Sequence, residues 1–206
     1  MFKARFISIV SKYSNDEQAT KIWDEVYAKY SKTNRYYHNV HHLDNLLFEL
    51  EPLRANISDW EIVIFAIAYH DIIYNVLRQD NEERSAELAI ARLKELSIDQ
   101  ERVMLCKEII LNTKSHQDST ESDIRIFADA DLAILGKSSE EYLSYASAVR
   151  KEYKIYPDFV YNPGRSKVLE SFLAKDHIYH TDFFYNQYEE KARANISNEL
   201  DQLRKK

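Results

Sequence analysis

Glycine and proline are nearly missing from this 206-residue chain, which has two of the first and three of the second. So few turn-formers exclude the run of tight hairpins that a β-sandwich or barrel needs, and leave no flexible linker. Cysteine occurs once, as Cys106, so no disulfide can close within the chain, and the thiol suits a reducing compartment. Its neighbours Val103, Met104, Ile109 and Ile110 mark it as core filler. No apolar run approaches the roughly 20 residues that span a bilayer. Met1 to Val10 carries Lys3 and Arg5 instead of the apolar stretch of a leader. The expectation is a cytoplasmic protein with no membrane contact. An excess of positive charge is missing as well. Lys and Arg total 28 against 34 Asp and Glu, a net charge of −6, which argues against a general binder of nucleic-acid polymers but allows a local basic pocket.

What is present points to helices. Hydrophobic residues make up 45% and charged residues 30%, the balance of a globular chain with a sizeable core. Ser14-x-x-Glu17, Ser58-x-x-Glu61, Ser97-x-x-Gln100 and Ser138-x-x-Glu141 all have the capping-box form, and each precedes helical apolar spacing. The pattern predicts helices over about 2–12, 16–30, 38–50, 59–74, 81–96, 99–112, 123–135, 139–153, 165–174 and 182–204. No segment shows strand alternation. The expected fold is all-α: a single domain over 1–206, with a core at about 30–155 and further helices at about 158–206 packed on it. Asn162-Pro163-Gly164 is the clearest turn. The last helix is long and charged, with Glu189 and Arg193 spaced as an i,i+4 pair. Its apolar residues Tyr188, Ile196, Leu200 and Leu203 can dock onto the core or onto a second copy of the chain, as in a homodimer.

Three stretches place chemistry-bearing residues at inward positions. Ile64 to Tyr74 is apolar on nearly every side, with His70 and Asp71 in its middle. A buried carboxylate needs a partner, and adjacent helical residues point about 100° apart, so one cation between those directions can be held by both. Upstream, His38, His41 and His42 crowd five positions, and His42 shares its face with Leu46 and Leu50. Downstream, the stripe Ile124, Phe127, Ala128, Asp131, Leu135 puts Asp131 on the core side, while Asp129 shares another face with Arg125 and Ala133. Two imidazoles and two carboxylates form a mixed N/O set suited to a divalent cation with open positions for water, unlike a closed, cysteine-rich structural zinc site. Each feature also has a plainer account: a His-Asp pair that fixes packing, or histidines that cap a helix.

The order His42, His70-Asp71, Asp131 resembles the HD superfamily of metal-dependent phosphohydrolases, and the 28-residue gap from His42 to His70 is of the size that superfamily shows. The motifs Tyr37-His38-Asn39-x-x-His42-Leu43, Tyr69-His70-Asp71-Ile72-Ile73-Tyr74, Asn81-Glu82-x-x-Ser85-Ala86 and Asp129-Ala130-Asp131-Leu132-Ala133-Ile134-Leu135-Gly136 resemble one subgroup, described as predicted metal-dependent HD phosphohydrolases. So do Gly164-Arg165 and Ala192-Arg193-Ala194-Asn195. The likeness runs over about residues 30–200. It implies an HD-like helical bundle in which His42, His70, Asp71 and Asp131 ligate one divalent ion: Mn, Mg, Fe, Co, Ni or Zn.

The implied activity is hydrolysis of a phosphomonoester or phosphoanhydride in a nucleotide or another small phosphorylated metabolite. Asp71 or Glu82 is then the proton acceptor, Glu82 because it opens the helix after the HD stretch. At a helix start Glu82 is also explained by the dipole alone. Arg35, Lys114 and Arg165 are the candidate phosphate cations, with His38 and His116 as further substrate contacts. Tyr36, Tyr37 and Tyr74 either stack a base or fill the core. Two other readings compete. One is a non-catalytic metal- or nucleotide-binding module with a regulatory role. The other is a helical scaffold in which His70 and Asp71 merely pair.

Overall fold

A computed structural model describes residues 1–205. The described residues form ten α-helices and two short 3-10 helices, with no strand among them. The helices are α1 (Phe2–Val10), α2 (Asp16–Tyr30), α3 (Val40–Leu50), α4 (Trp60–Tyr69), α5 (Asn81–Glu95), α6 (Gln100–Asn112), α7 (Ser122–Asp131), α8 (Ser139–Glu152), α9 (Asp158–Leu173) and α10 (Asp182–Arg204). The 3-10 helices are Glu51–Asn56 and Ala133–Gly136. The all-α expectation holds. The chain divides into two compact units, residues 1–128 and the rest, and the division falls inside the continuous helix α7.

In the first unit α4 is the centre. Ile62 through Tyr69 are all fully buried, as the all-round apolar sequence requires. Phe6 packs edge-on against Phe65, and Phe2, Trp23 and Tyr69 close the same aromatic cluster, joining α1 and α2 to α4. Burying a side chain of that size contributes about 1.5–3 kcal/mol. Cys106 is buried, and burial pushes its thiol pKa up, so it acts as a small hydrophobe. In the second unit α10 lies on the short helix Ala133–Gly136. A Cβ at Gly136 would fall 2.4 Å from the Cβ of Tyr188, so only glycine allows this approach. Asn195 Nδ2 donates to the carbonyls of Leu135 (2.9 Å) and Lys137 (3.0 Å), fixing the register of the contact. Glu189 and Arg193 form the expected i,i+4 pair at 2.7 Å.

Four local expectations are corrected. Of the four serine boxes only Ser138 with Glu141 forms one. Asn15 and Asp59, each one residue past the serine, cap α2 and α4 instead, their shorter carbonyl arms accepting from Gln18 N and Ile62 N. Asp99 occupies the third cap position, and Ser97 sits in the left-handed region (φ 55°), terminating α5. The helix expected over 59–74 stops at Tyr69, because side chains capture the backbone beyond it: Arg35 takes the Asp71 and Ile72 carbonyls and Ser85 Oγ accepts from Ile73 N. The helix expected over 123–135 ends at Asp131 and resumes as the 3-10 turn that meets α10. Asn162-Pro163-Gly164 is no turn but lies inside α9. Pro163 removes one ladder bond, yet Tyr161, Arg165 and Leu169 recur every fourth residue and bury their side chains on one face, and that packing carries the helix through.

Candidate metal centre

Three helices present the central side chains. Asn39 caps α3 through His41 N, which sets the first turn so that His42 points inward with Leu43 and Leu46. His70 is the C-cap residue of α4, at the buried end of its most apolar element. Asp131 closes α7, whose start is pinned to the start of α4: the Asp123 carboxylate accepts from Ser58 N and Asp59 N, both at 2.8 Å. On α7, Phe127 meets the His70 ring edge-on at 5.8 Å. Asp131 follows Phe127 by four residues, one turn further along the same face.

His42 and His70 are 4% and 1% exposed, and their Nε2 atoms lie 3.0 Å apart. His70 Nδ1 lies 3.1 Å from the Ile67 carbonyl. The carbonyl can only accept, so the His70 proton belongs on Nδ1 and its Nε2 presents a lone pair. That is the usual arrangement of a metal-ligating imidazole, whose other nitrogen donates to a backbone carbonyl or carboxylate. One ligand atom from each of His42, His70 and Asp131 lies within 4.8 Å of the other two. Two nitrogens 3.0 Å apart, each about 2.1 Å from one cation, subtend about 90°, the cis angle of an octahedral site. The donor set therefore fits a divalent cation.

Asp71 is not a member of that trio, but its Oδ2 lies 3.3 Å from His70 Nε2 and 3.8 Å from His38 Nε2. With α4 ending at Tyr69, Asp71 stands in the turn after the helix and not in its interior. The His38 ring lies tilted against Tyr74 (4.4 Å) and meets Tyr37 edge-on (4.9 Å). Tyr37 also packs on His42, so it belongs to the wall of the site, while Tyr36 is exposed. Glu82 is half-buried in the first turn of α5. Burial, reinforced by the charge of Asp71, raises its pKa.

The three candidate phosphate cations are engaged elsewhere. Arg35, 6% exposed, donates to the backbone carbonyls of His38, Asp71 and Ile72 and lies over the rings of Tyr30 and Tyr74. Lys114 pairs closely with Glu83 and donates to the Gln79 carbonyl. Arg165 makes a bidentate pair with Glu199 inside the second unit, at 2.9 and 3.0 Å, and its position within α9 gives it no exposed helix start. His116 is buried and adopts φ 47° just after α6. Asp129, fully buried, holds the loop before α10 by accepting from His180 N, Thr181 N and Thr181 Oγ1. Burial nonetheless leaves its pKa raised.

Sequence reasoning missed the supports of the HD turn. Tyr30 Oη lies 3.2 Å from Asp71 N, Asn81 bonds reciprocally with the backbone of Asn75, and Ser85 holds Ile73. The i,i+4 spacing of Asn81 and Ser85 was the available signal. Tyr30 gave none among fifteen tyrosines. No protein-family model, curated protein or solved structure matches the chain.

Proposed function

We propose that the chain is an HD-type, metal-dependent phosphohydrolase acting on a small phosphorylated metabolite, such as a nucleotide, in a reducing, cytoplasmic setting. One observation carries this reading: His42 Nε2 and His70 Nε2 lie 3.0 Å apart, with the His70 proton directed to the Ile67 carbonyl and the Asp131 carboxylate within reach. His42, His70 and Asp131 would hold the ion, with Asp71, whose Oδ2 lies 3.3 Å from His70 Nε2, as the fourth ligand. A divalent ion bound there supplies positive charge to a phosphoryl oxygen and acidifies the attacking water. The Asp71 carboxylate accepts the proton as the water oxygen bonds to phosphorus and the ester or anhydride P–O bond breaks. His38, partly exposed at the edge of the site, contacts the substrate phosphate. Glu82 is the second carboxylate within electrostatic range of Asp71.

The test is elemental analysis of protein purified without chelator, followed by phosphate release from nucleotide and sugar-phosphate panels with Mn, Mg, Fe, Co, Ni and Zn. The expected result is about one ion per chain, lost in His42→Ala and in Asp131→Ala, with Asp71→Asn lowering kcat about 100-fold or more. No bound metal and no release would overturn the reading. Metal without turnover would leave a binding module.

A further inference from the structure

We infer that Arg35 is the positioning residue of this site: from the loop before α3 it fixes the backbone of Asp71 and ties it to His38, so that the Asp71 side chain leaves the chain in one direction, beside His70. This rests on the proposed reading of the site. Arg35 Nη1 bridges the His38 carbonyl (3.1 Å) and the Asp71 carbonyl (2.8 Å), and Nη2 takes the Ile72 carbonyl (2.9 Å). Tyr30 supplies the other half of the brace. Its hydroxyl accepts from Asp71 N, and its ring lies 4.7 Å from the Arg35 guanidinium carbon. Both peptide groups flanking the Asp71 Cα are thus held by side chains from elsewhere in the chain. The two soft backbone dihedrals of Asp71 set the direction in which its Cα–Cβ bond leaves the chain, and this brace restrains both. From the opposite side Ser85 Oγ holds Ile73 and Asn81 holds Asn75, so the turn after α4 is fixed between Arg35 and α5.

The chemistry of the pocket requires arginine in particular. A planar fork reaches three carbonyls in fixed directions, whereas an ammonium is a point charge on a flexible stem. The guanidinium is buried with carbonyls as its acceptors, and its Nε has no hydrogen-bond partner. A buried cation satisfied in this way is costly, which is unusual for a residue that only fills space. Arg35 therefore acts on the site through Asp71 and His38, not by touching phosphate.

The experiment compares wild type, Arg35→Gln and Arg35→Lys in the full chain, each checked for folding by circular dichroism. Peptide-resolved hydrogen exchange should speed up at least tenfold over residues 70–75 in Arg35→Gln while α6 stays unchanged. Co2+ affinity should fall about tenfold, in the range typical of groups that orient metal ligands. That loss should vanish when Arg35→Gln is placed on Asp71→Asn, because the brace acts through Asp71. With a hydrolysed substrate, kcat should drop and KM stay within twofold, and Arg35→Lys should not restore it. Equal Co2+ affinity in Arg35→Gln and wild type, the same loss with Asp71→Asn present, or a raised KM at constant kcat would each overturn the proposal. Wild type that neither binds Co2+ nor releases phosphate would sink the phosphohydrolase reading instead, and the exchange data alone would then decide whether the brace exists.

Discussion

Asp123→Ala should destabilise the first unit substantially, although Asp123 lies in no site. Its carboxylate accepts from Ser58 N and Asp59 N at 2.8 Å each, and the residue is buried. A hydrogen bond to a charged group contributes about 1.5–3 kcal/mol. Two such bonds set an upper range of about 3–6 kcal/mol, and water entering the part-buried site recovers some of it, which leaves about 3 kcal/mol. In a chain of this size 1 kcal/mol moves Tm by about 2–4 °C, so the expected fall is about 6–12 °C. Asp123→Asn keeps one acceptor oxygen and should lose about half as much. The assay is thermal and urea denaturation followed by tryptophan fluorescence, because Trp23 and Trp60 both lie in the first unit and report on it alone. A Tm within about 2 °C of wild type for Asp123→Ala would show that the α4–α7 tie is not the anchor described here.

Three further outcomes are expected. Burial pushes the Glu61 pKa up, but hydrogen bonds from Lys12, Tyr13 and Arg102 outweigh it and hold it at about 2 against an ordinary 4.5. A depressed folded-state pKa means the stabilisation is present above about 4.5 and lost as pH falls toward about 2. The urea midpoint should therefore fall across that window in wild type and be flatter in Glu61→Gln. Ser97→Gly relieves a left-handed residue (φ 55°) at the end of α5 and should raise stability by about 1 kcal/mol, read as an increased urea midpoint. Gly136→Ala forces a Cβ against Tyr188 Cβ at 2.4 Å and its carbonyl oxygen at 2.7 Å, so near-UV circular dichroism of the tyrosines should show loosened packing, with about 1–3 kcal/mol lost.

Most helices were legible because apolar residues recur at helical spacing along them, and α4 because Ile62–Tyr69 is apolar all round, whereas the start of α9 at Asp158 was not. The core stripe also singled out Asp131, which the structure brings beside His42 and His70. Asp129, expected on another face, is fully buried too, and it holds the backbone before α10. What stayed hidden was decided between residues far apart in sequence. The end of α4 depends on Arg35, 36 positions before Asp71. The cations expected at phosphate are taken up by carbonyls or carboxylates that no local pattern reveals: Asp71 and Ile72 for Arg35, Glu83 for Lys114, Glu199 for Arg165. Pro163 and Gly164 read locally as a break, and the burial of the Tyr161–Arg165–Leu169 face overrides them.

The early stop of α4 has an electrostatic consequence. The aligned peptide dipoles of a helix leave roughly half a negative elementary charge at its C-terminal end. In α4 no basic side chain in the last turn offsets it, and the end lies in the apolar interior, where water screens little. The guanidinium of Arg35 is one positive group already settled just beyond that terminus. Were the helix to continue to residue 74, the negative pole would lie more than one turn away from His70; stopping at Tyr69, the backbone itself makes the neighbourhood of the two imidazoles attractive to positive charge before any ligand atom is counted.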